Sequence, residues 1–279
     1  MKSRTKLTLS GKHLEIEMFP VTEHGHRCDR KNKLSLEAQR KQNEKNAAKR
    51  MERLVNSNFV KNDLLLTLNY RAELRPDLDY SAVLRDTQNY LRRVKAYRKR
   101  NGLPYIKYIY VVEKTGHNNW HVHMIMSQMS RDAAESLWHY ADYVNCDRFQ
   151  PTTQEGGAAF ANYIAGKKGG KNSEKPGRNW NCSKNLVQPT ETHEDGTHTR
   201  RELARFARER VDDKEYWEHK YKGYRFVSAY PTYNEYNGWW YLYVRMYRIE
   251  EYTAVKRGDH IVQRGDRITN PKRKNRALQ

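Results

Sequence analysis

Apolar positions between Leu64 and Ala165 switch between a period of two and a period of three to four. Leu64–Tyr70 (LLLTLNY) is a short β-rich run, and Ser81–Arg98 places Val83, Leu84, Tyr90, Leu91 and Val94 at core-facing helical spacings. Tyr105–Thr115 (YIKYIYVVEKT) is rich in β-branched and aromatic residues. Gly116–Asn119 is turn-like, and Trp120–Met126 (WHVHMIM) returns from it as a second strand. Arg131–Tyr140 is predicted as a short helix and Tyr143–Phe149 as an edge strand. The capping-box spacing of Thr152 and Glu155 opens a helix from about Gln154 to Ala165, which Gly166, Gly169 and Gly170 end. This β-α-β-β-α-(β)-α order predicts an α+β domain with helices packed on an antiparallel sheet.

The flanks read differently. From Arg27 to Arg53 there are ten Lys/Arg against four Asp/Glu, with Ser35–Leu54 predicted as a basic helix behind a loop. Thr190–Thr199 reads as a polar linker before a helical Arg200–Arg210. Tyr216–Tyr252 is dense in aromatics around Asn237-Gly238, a strong hairpin signal. Its rings, interleaved with Arg225, Arg245 and Arg248, suit either the stacking of unpaired bases or the core and edge of a small β-module. Lys256–Gln279 holds eight Lys/Arg against two Asp with no apolar periodicity, the composition of a disordered tail. The expected division is a basic N-terminal extension (1–55), a central domain (56–190), a linker and helix (191–215), a Tyr/Trp-rich β-module (216–255) and a basic tail (256–279). No repeat of solenoid length is present.

Charge narrows the function. The 279 residues carry 53 Lys/Arg and 33 Asp/Glu, a formal +20, and such a field attracts polyanions, nucleic acid first. An anionic membrane is the rival partner, but no run of 18 apolar residues exists and Met1–Pro20 lacks the apolar stretch of a signal peptide. Cys28, Cys146 and Cys182 form no CxxC pair, which suits a reducing compartment. The expectation is a cytoplasmic protein that works on nucleic acid, with no membrane partner.

The candidate chemistry begins at His121-Val122-His123. On a strand, residues two apart share a face, so both imidazoles project together. A hairpin centred near His117 sets Glu113 directly opposite His121, bringing one carboxylate to two imidazoles. Two readings stand side by side: half-buried structural histidines, or ligands of a divalent metal with positions left open for substrate. Two His and a carboxylate also describe zinc hydrolases and non-haem iron oxygenases. A phosphate-bearing substrate favours Mg²⁺ or Mn²⁺. His117 is a candidate fourth group or a solvated turn residue, and His24, His26 and Cys28 lack a fourth partner for zinc.

Tyr163 comes late in the expected helix, with Lys167 and Lys168 one turn further on. A tyrosine hydroxyl is a poor nucleophile at a pKa of about 10. Nearby cations and a metal-polarised phosphodiester would allow attack, leaving a covalent phosphotyrosine. The alternative is a core aromatic beside Phe160. The glycines and lysines here are not a phosphate-binding P-loop, because Ala165 and Asn172 stand where Gly and Ser/Thr are required.

The ordered set RLVNSNFVKNDLLLTLNY (Arg53–Tyr70), WHVHMIMS (Trp120–Ser127), VNCDRFQP (Val144–Pro151), ANYIAGKKGGK (Ala161–Lys171) and CSKNLVQP (Cys182–Pro189) resembles the HUH endonucleases. It is closest to the rolling-circle replication initiators of phages and mobile elements related to the filamentous-phage gene II protein. GWWYLYVRMYR (Gly238–Arg248) resembles the family's C-terminal hairpin. The resemblance implies a ferredoxin-like antiparallel sheet for 56–190, His121 and His123 as paired ligands of Mg or Mn, and Glu113 as the third. It implies Tyr163 as the nucleophile that cleaves one strand of single-stranded or hairpin origin DNA, keeps the 5′-phosphate and frees a 3′-OH for a host polymerase. Gly166 occupies the family's usual lysine position, so Lys167 or Lys168 would take over the phosphate-positioning role. Lys171, Lys175 and Arg178 would contact DNA. The chain holds no helicase motif, so a host helicase is the expected partner for unwinding. A transposase or relaxase with the same chemistry, and a non-catalytic basic DNA-binding protein, are the other classes open to this sequence.

Overall fold

The computed structural model describes residues 2–21, 36–116, 118–152, 156–158, 160 and 180–249. Tyr163, Lys167, Lys168, Lys171, Lys175, Arg178, His117, the His24/His26/Cys28 group and the 256–279 tail lie outside the described residues. So does most of the helix expected from Gln154 to Ala165.

In chain order the described elements are β1 (Lys2–Ser10), β2 (His13–Val21), α1 (Leu36–Asn58), β3 (Leu64–Leu68), α2 (Tyr80–Arg100), β4 (Tyr108–Thr115), β5 (Asn119–Met126), α3 (Arg131–Ser136) and β6 (Asn145–Arg148). They continue with β7 (Asn181–Cys182), β8 (Thr190–Asp195), α4 (Arg200–Arg205), α5 (Lys214–Lys220), β9 (Tyr224–Asn234) and β10 (Trp239–Arg248). The chain divides into two compact units, Leu34–Gln188 and a discontinuous one made of Met1–Lys33 with Pro189–Gln279.

The Leu34–Gln188 unit is built on an antiparallel sheet of order β6-β3-β5-β4-β7. The run β3-α2-β4-β5-α3-β6 follows the β-α-β-β-α-β order of a split βαβ unit. Strand alternation divides its side chains between two cores. Leu64, Leu66, Leu68, Tyr110, Val112, Val122, Met124 and Met126 bury against Val83, Tyr90, Leu91 and Val94 of α2 and Ala134 of α3. Leu65, Ile109, Val111 and Ile125 point the other way, into a core with Met51, Leu54 and Val55 of α1 and with Phe59, Phe149, Phe160 and Leu186. The Asp79 carboxylate caps α2 by accepting from Ala82 N at 2.7 Å, and Arg98, Lys99 and Arg100 complement its C-terminal dipole.

Helix α1 departs from the expected domain division. Its charged stretch predicts a basic N-terminal extension, yet Met51, Leu54 and Val55 recur at i, i+3 and i+4 and are buried. Burying such side chains stabilises by about 1.5–3 kcal/mol each, so the last turns of α1 belong to the central unit.

The first 21 residues also depart from the extension reading. Lys2–Ser10 and His13–Val21 form a hairpin through Gly11, whose φ of 59° is the left-handed conformation glycine tolerates. The hairpin lies inside a second antiparallel sheet of order β8-β1-β2-β10-β9. Leu14, Ile16 and Met18 with Leu242, Val244 and Met246 bury against Leu203, Ala207 and Trp217. The β9–β10 hairpin expected at Asn237-Gly238 is present, but as two strands of this larger sheet rather than a separate module. The stretch read as a linker from Thr190 contains strand β8, held on β1 by Arg4–Asp195 (2.6 Å) and Lys6–Glu191 (2.9 Å) pairs. No apolar alternation marks TETHED as a strand, because it is a solvated edge strand pinned by charge. Helix α4 opens on a capping box between Thr199 and Glu202 and continues into a π-helical turn, Phe206–Arg210.

Candidate metal centre

The β4–β5 hairpin pairs Glu113 with His121 and Val111 with His123, the register that a turn centred near His117 requires. Asn118 turns the chain at φ 55°, and its side-chain carboxamide donates to the carbonyls of Arg75 and Leu78 while accepting from Trp120 Nε1. The turn is therefore tied to the loop before α2, and the opposition of Glu113 and His121 is held from outside as well as by the ladder.

Glu113 Oε2 lies 3.5 Å from His121 Nε2 and 3.3 Å from His123 Nε2. The two imidazole rings stand edge to face with centroids 4.8 Å apart. The three candidate donor atoms all fall within 4.8 Å of one another, and each residue is 9 % exposed or less. Burial of two imidazoles and a carboxylate is costly unless they are paired or coordinate a cation. This group can hold a divalent ion.

The outer nitrogens support that use. Nδ1 of His121 faces the carbonyl oxygen of Asn119 at 3.4 Å, and Nδ1 of His123 faces Oγ1 of Thr67 at 3.2 Å. A carbonyl only accepts, so Nδ1 is the nitrogen of His121 placed to donate, and Nε2, on the Glu113 side, is the one placed to coordinate an ion. A metal-ligating histidine usually shows this outer contact, which fixes tautomer and ring orientation. The donor set of two N and one O admits Zn²⁺, Mn²⁺ or Mg²⁺.

The centre sits on the α1 side of the sheet. His123 alternates with Ile125 on β5, and Val111 with Ile109 on β4; Ile125, Val111 and Ile109 all belong to the α1-side core, together with Phe160. Gly157 N donates to Asn56 Oδ1 of α1 at 2.6 Å, so the chain leading toward Phe160 is tied to α1. Sequence alone does not single out Thr67, Asn119, Asn56 or Gly157. Thr67 stands in the LTL run, but its role shows only once β3 is registered on β5 with Thr67 opposite His123.

The other face carries most tyrosines of this unit. Tyr70, Tyr90 and Tyr110 are buried in the α2-side core, with Tyr80, Tyr97, Tyr108 and Tyr140 packed against it. Burial pushes the Tyr110 hydroxyl up to about 12 and raises those of Tyr70 and Tyr90 as well. Tyr105 and Tyr143 are exposed.

An antiparallel sheet with paired strand histidines and an opposed glutamate defines an α+β protein with a candidate divalent-metal centre on a sheet face. Residues 63–168 match a family model described as replication-associated protein, of the ORF2 and gene II protein type, consistent with a family of rolling-circle replication initiators. The matched segment spans β3 through β6 and includes all three residues of the centre. No curated protein and no solved structure matches the chain. Among the described residues, no helix is long and apolar enough to cross a membrane.

Proposed function

We propose that the protein is a rolling-circle replication initiator that nicks and rejoins single-stranded or hairpin origin DNA. The observation that carries the reading is the convergence of both histidine Nε2 atoms on one Glu113 oxygen, within a segment that matches a replication-associated family. Glu113, His121 and His123 would hold Mg²⁺ or Mn²⁺, which when bound supplies Lewis-acid polarisation of the scissile phosphate.

Tyr163 is the proposed nucleophile. Its oxygen would form the new bond to phosphorus as the bond to the 3′-oxygen breaks, leaving a 5′-phosphotyrosine and a 3′-OH for a polymerase. Rejoining is the reverse displacement and needs no ATP. Phe160, three positions earlier in the chain, is buried in the core on the face that carries the histidines. Seven of the described tyrosines of this unit belong to the opposite core. Tyr143 is the described rival, since it is exposed and precedes by two residues Asn145, which pairs with Thr67. Lys167 and Lys168 would position the phosphate, and Lys171, Lys175 and Arg178 would contact the flanking strand. A host helicase and polymerase would complete the cycle.

The test is incubation with a single-stranded origin oligonucleotide and Mn²⁺, followed by denaturing electrophoresis and mass spectrometry. A denaturant-stable adduct on Tyr163, lost in Tyr163→Phe and kept in Tyr143→Phe, is the expected result. An adduct retained in Tyr163→Phe moves the nucleophile elsewhere. Cleavage without any adduct in the wild-type protein points to hydrolysis by water.

A further inference from the structure

The β9–β10 hairpin carries exposed rings that folding does not explain. Tyr236 at the turn is fully exposed, and Tyr233 is 47 % exposed beside Trp240, with ring centroids 5.2 Å apart. Exposed aromatics gathered at one place mark an interaction site more often than a packing device. Helix α4 and its π-helical continuation bring arginines to the same place. Residues 200–210 hold Arg200, Arg201, Arg205, Arg208 and Arg210 against Glu202 and Glu209. The Arg208 guanidinium lies 5.9 Å from the centre of the Trp240 ring, and Arg200 Nε donates to the Gly238 carbonyl at 2.8 Å. Flat rings and cations thus share one end of the sheet.

The opposite face of this sheet sets cations against carboxylates. There Arg245 is registered opposite Glu15, and Tyr243 and Lys6 both opposite Glu17, so its cations are matched by carboxylates. The Tyr233/Trp240 side combines ring faces with cations, the combination that binds unpaired bases and their backbone. A duplex hides its base faces and would use only the arginines.

We propose that this hairpin end is a docking surface for single-stranded DNA, with bases stacking on Tyr233, Tyr236 and Trp240 and phosphates meeting Arg201, Arg205 and Arg208. The choice of DNA rests on the nicking function proposed for the Glu113/His121/His123 centre. The surface would hold the strand at a place separate in sequence from that centre.

The experiment uses the full-length protein in EDTA, where metal-dependent cleavage cannot occur, and follows fluorescent oligo-dT by anisotropy at several salt concentrations. Tyr233→Ala/Tyr236→Ala should weaken binding about ten-fold or more, with the salt slope unchanged, because stacking releases no counterions. Tyr233→Phe/Tyr236→Phe keeps the rings and should bind as the wild type does. Arg205→Gln/Arg208→Gln should make the salt slope shallower, by about 0.7 for each single-strand phosphate that is no longer neutralised. Circular dichroism of each variant confirms the fold, and Tyr236→Ala alone, at a fully exposed position, serves if the double variant unfolds. Wild-type affinity in a folded Ala variant overturns the proposal, as does an equal loss on duplex DNA or tighter binding of oligo-rU than of oligo-dT. Cleavage of a single-stranded origin oligonucleotide with Mn²⁺ is read separately: its failure with ring-dependent binding intact rejects the nicking function and leaves the surface standing.

Discussion

Thr67 Oγ1 on β3 lies 3.2 Å from Nδ1 of His123 on β5, and the two residues are cross-strand partners. The hydroxyl holds the imidazole ring with Nε2 toward Glu113, so Thr67 acts on the centre through His123 rather than by touching an ion. Thr67→Val keeps the β-branched shape and removes the oxygen. Affinity for Mn²⁺, measured by calorimetry or electron paramagnetic resonance, should fall about 10- to 100-fold. Thr67→Ser should restore most of it, which a role in packing alone would not produce.

Replacing both His121 and His123 with Ala should abolish Mn²⁺ binding and metal-dependent cleavage. Salt-dependent DNA affinity should remain, because it comes from a chain that carries a formal +20. Anisotropy and a nicking assay on one preparation separate the two effects. Wild-type cleavage by the double variant would remove the centre from the chemistry, and loss of the fold would make the histidines structural.

Strands β3, β4 and β5 and helix α2 of the central unit were legible because each announces itself locally. LLLTL, YIYVVEKT and NWHVHMIM are self-evident strands, and HxH spacing with a symmetrical turn sets Glu113 against His121 without knowledge of anything distant. The second sheet was not legible, since β1 and β2 find their partners β8 and β10 only after the whole central unit has been inserted. Its edge strand TETHED has no apolar residue to mark it. In α1, lysines and arginines mask the buried Met51, Leu54 and Val55, so charge suggested a surface arm where packing makes a core helix. Thr67 was visible as a letter in LTL but silent as a function until register gave it a neighbour.

His13 should make the second sheet sensitive to acid. Burial, with the Arg245 charge adding to it, lowers its pKa from 6.5 to about 4, and its ring packs edge-on against Tyr247 at 5.0 Å. The folded state favours the neutral ring, so below pH 6.5 the unfolded chain takes a proton that the folded chain refuses. Stability contributed above that point is lost as pH falls toward 4, by up to about 3 kcal/mol at the lower end. Urea unfolding at pH 7 and pH 5 measures the loss. His13→Gln should flatten it, and an unchanged pH dependence in that variant would assign the sensitivity to other groups.

Gly157 leaves no room for a side chain. A Cβ built there would collide with Val55 Cγ1 and come within 2.7 Å of Val55 Cβ, at the point where Gly157 N bonds Asn56 Oδ1. Val55 is β-branched and fully buried, so it cannot swing aside as a flexible surface side chain would. Gly157→Ala should therefore push the chain off α1 and cost about 1–3 kcal/mol, read as a lower urea midpoint. The displacement begins six residues before Tyr163, so the yield of covalent adduct should fall by more than stability alone explains at temperatures where the variant is folded. Val55→Ala in the same chain removes the nearer collision, with Cγ1, and leaves the one with Cβ. It should recover part of the adduct yield while leaving the protein less stable than wild type, because the cavity it opens in the α1-side core remains. Recovery of neither quantity would show that Gly157 matters for a reason other than its packing against α1.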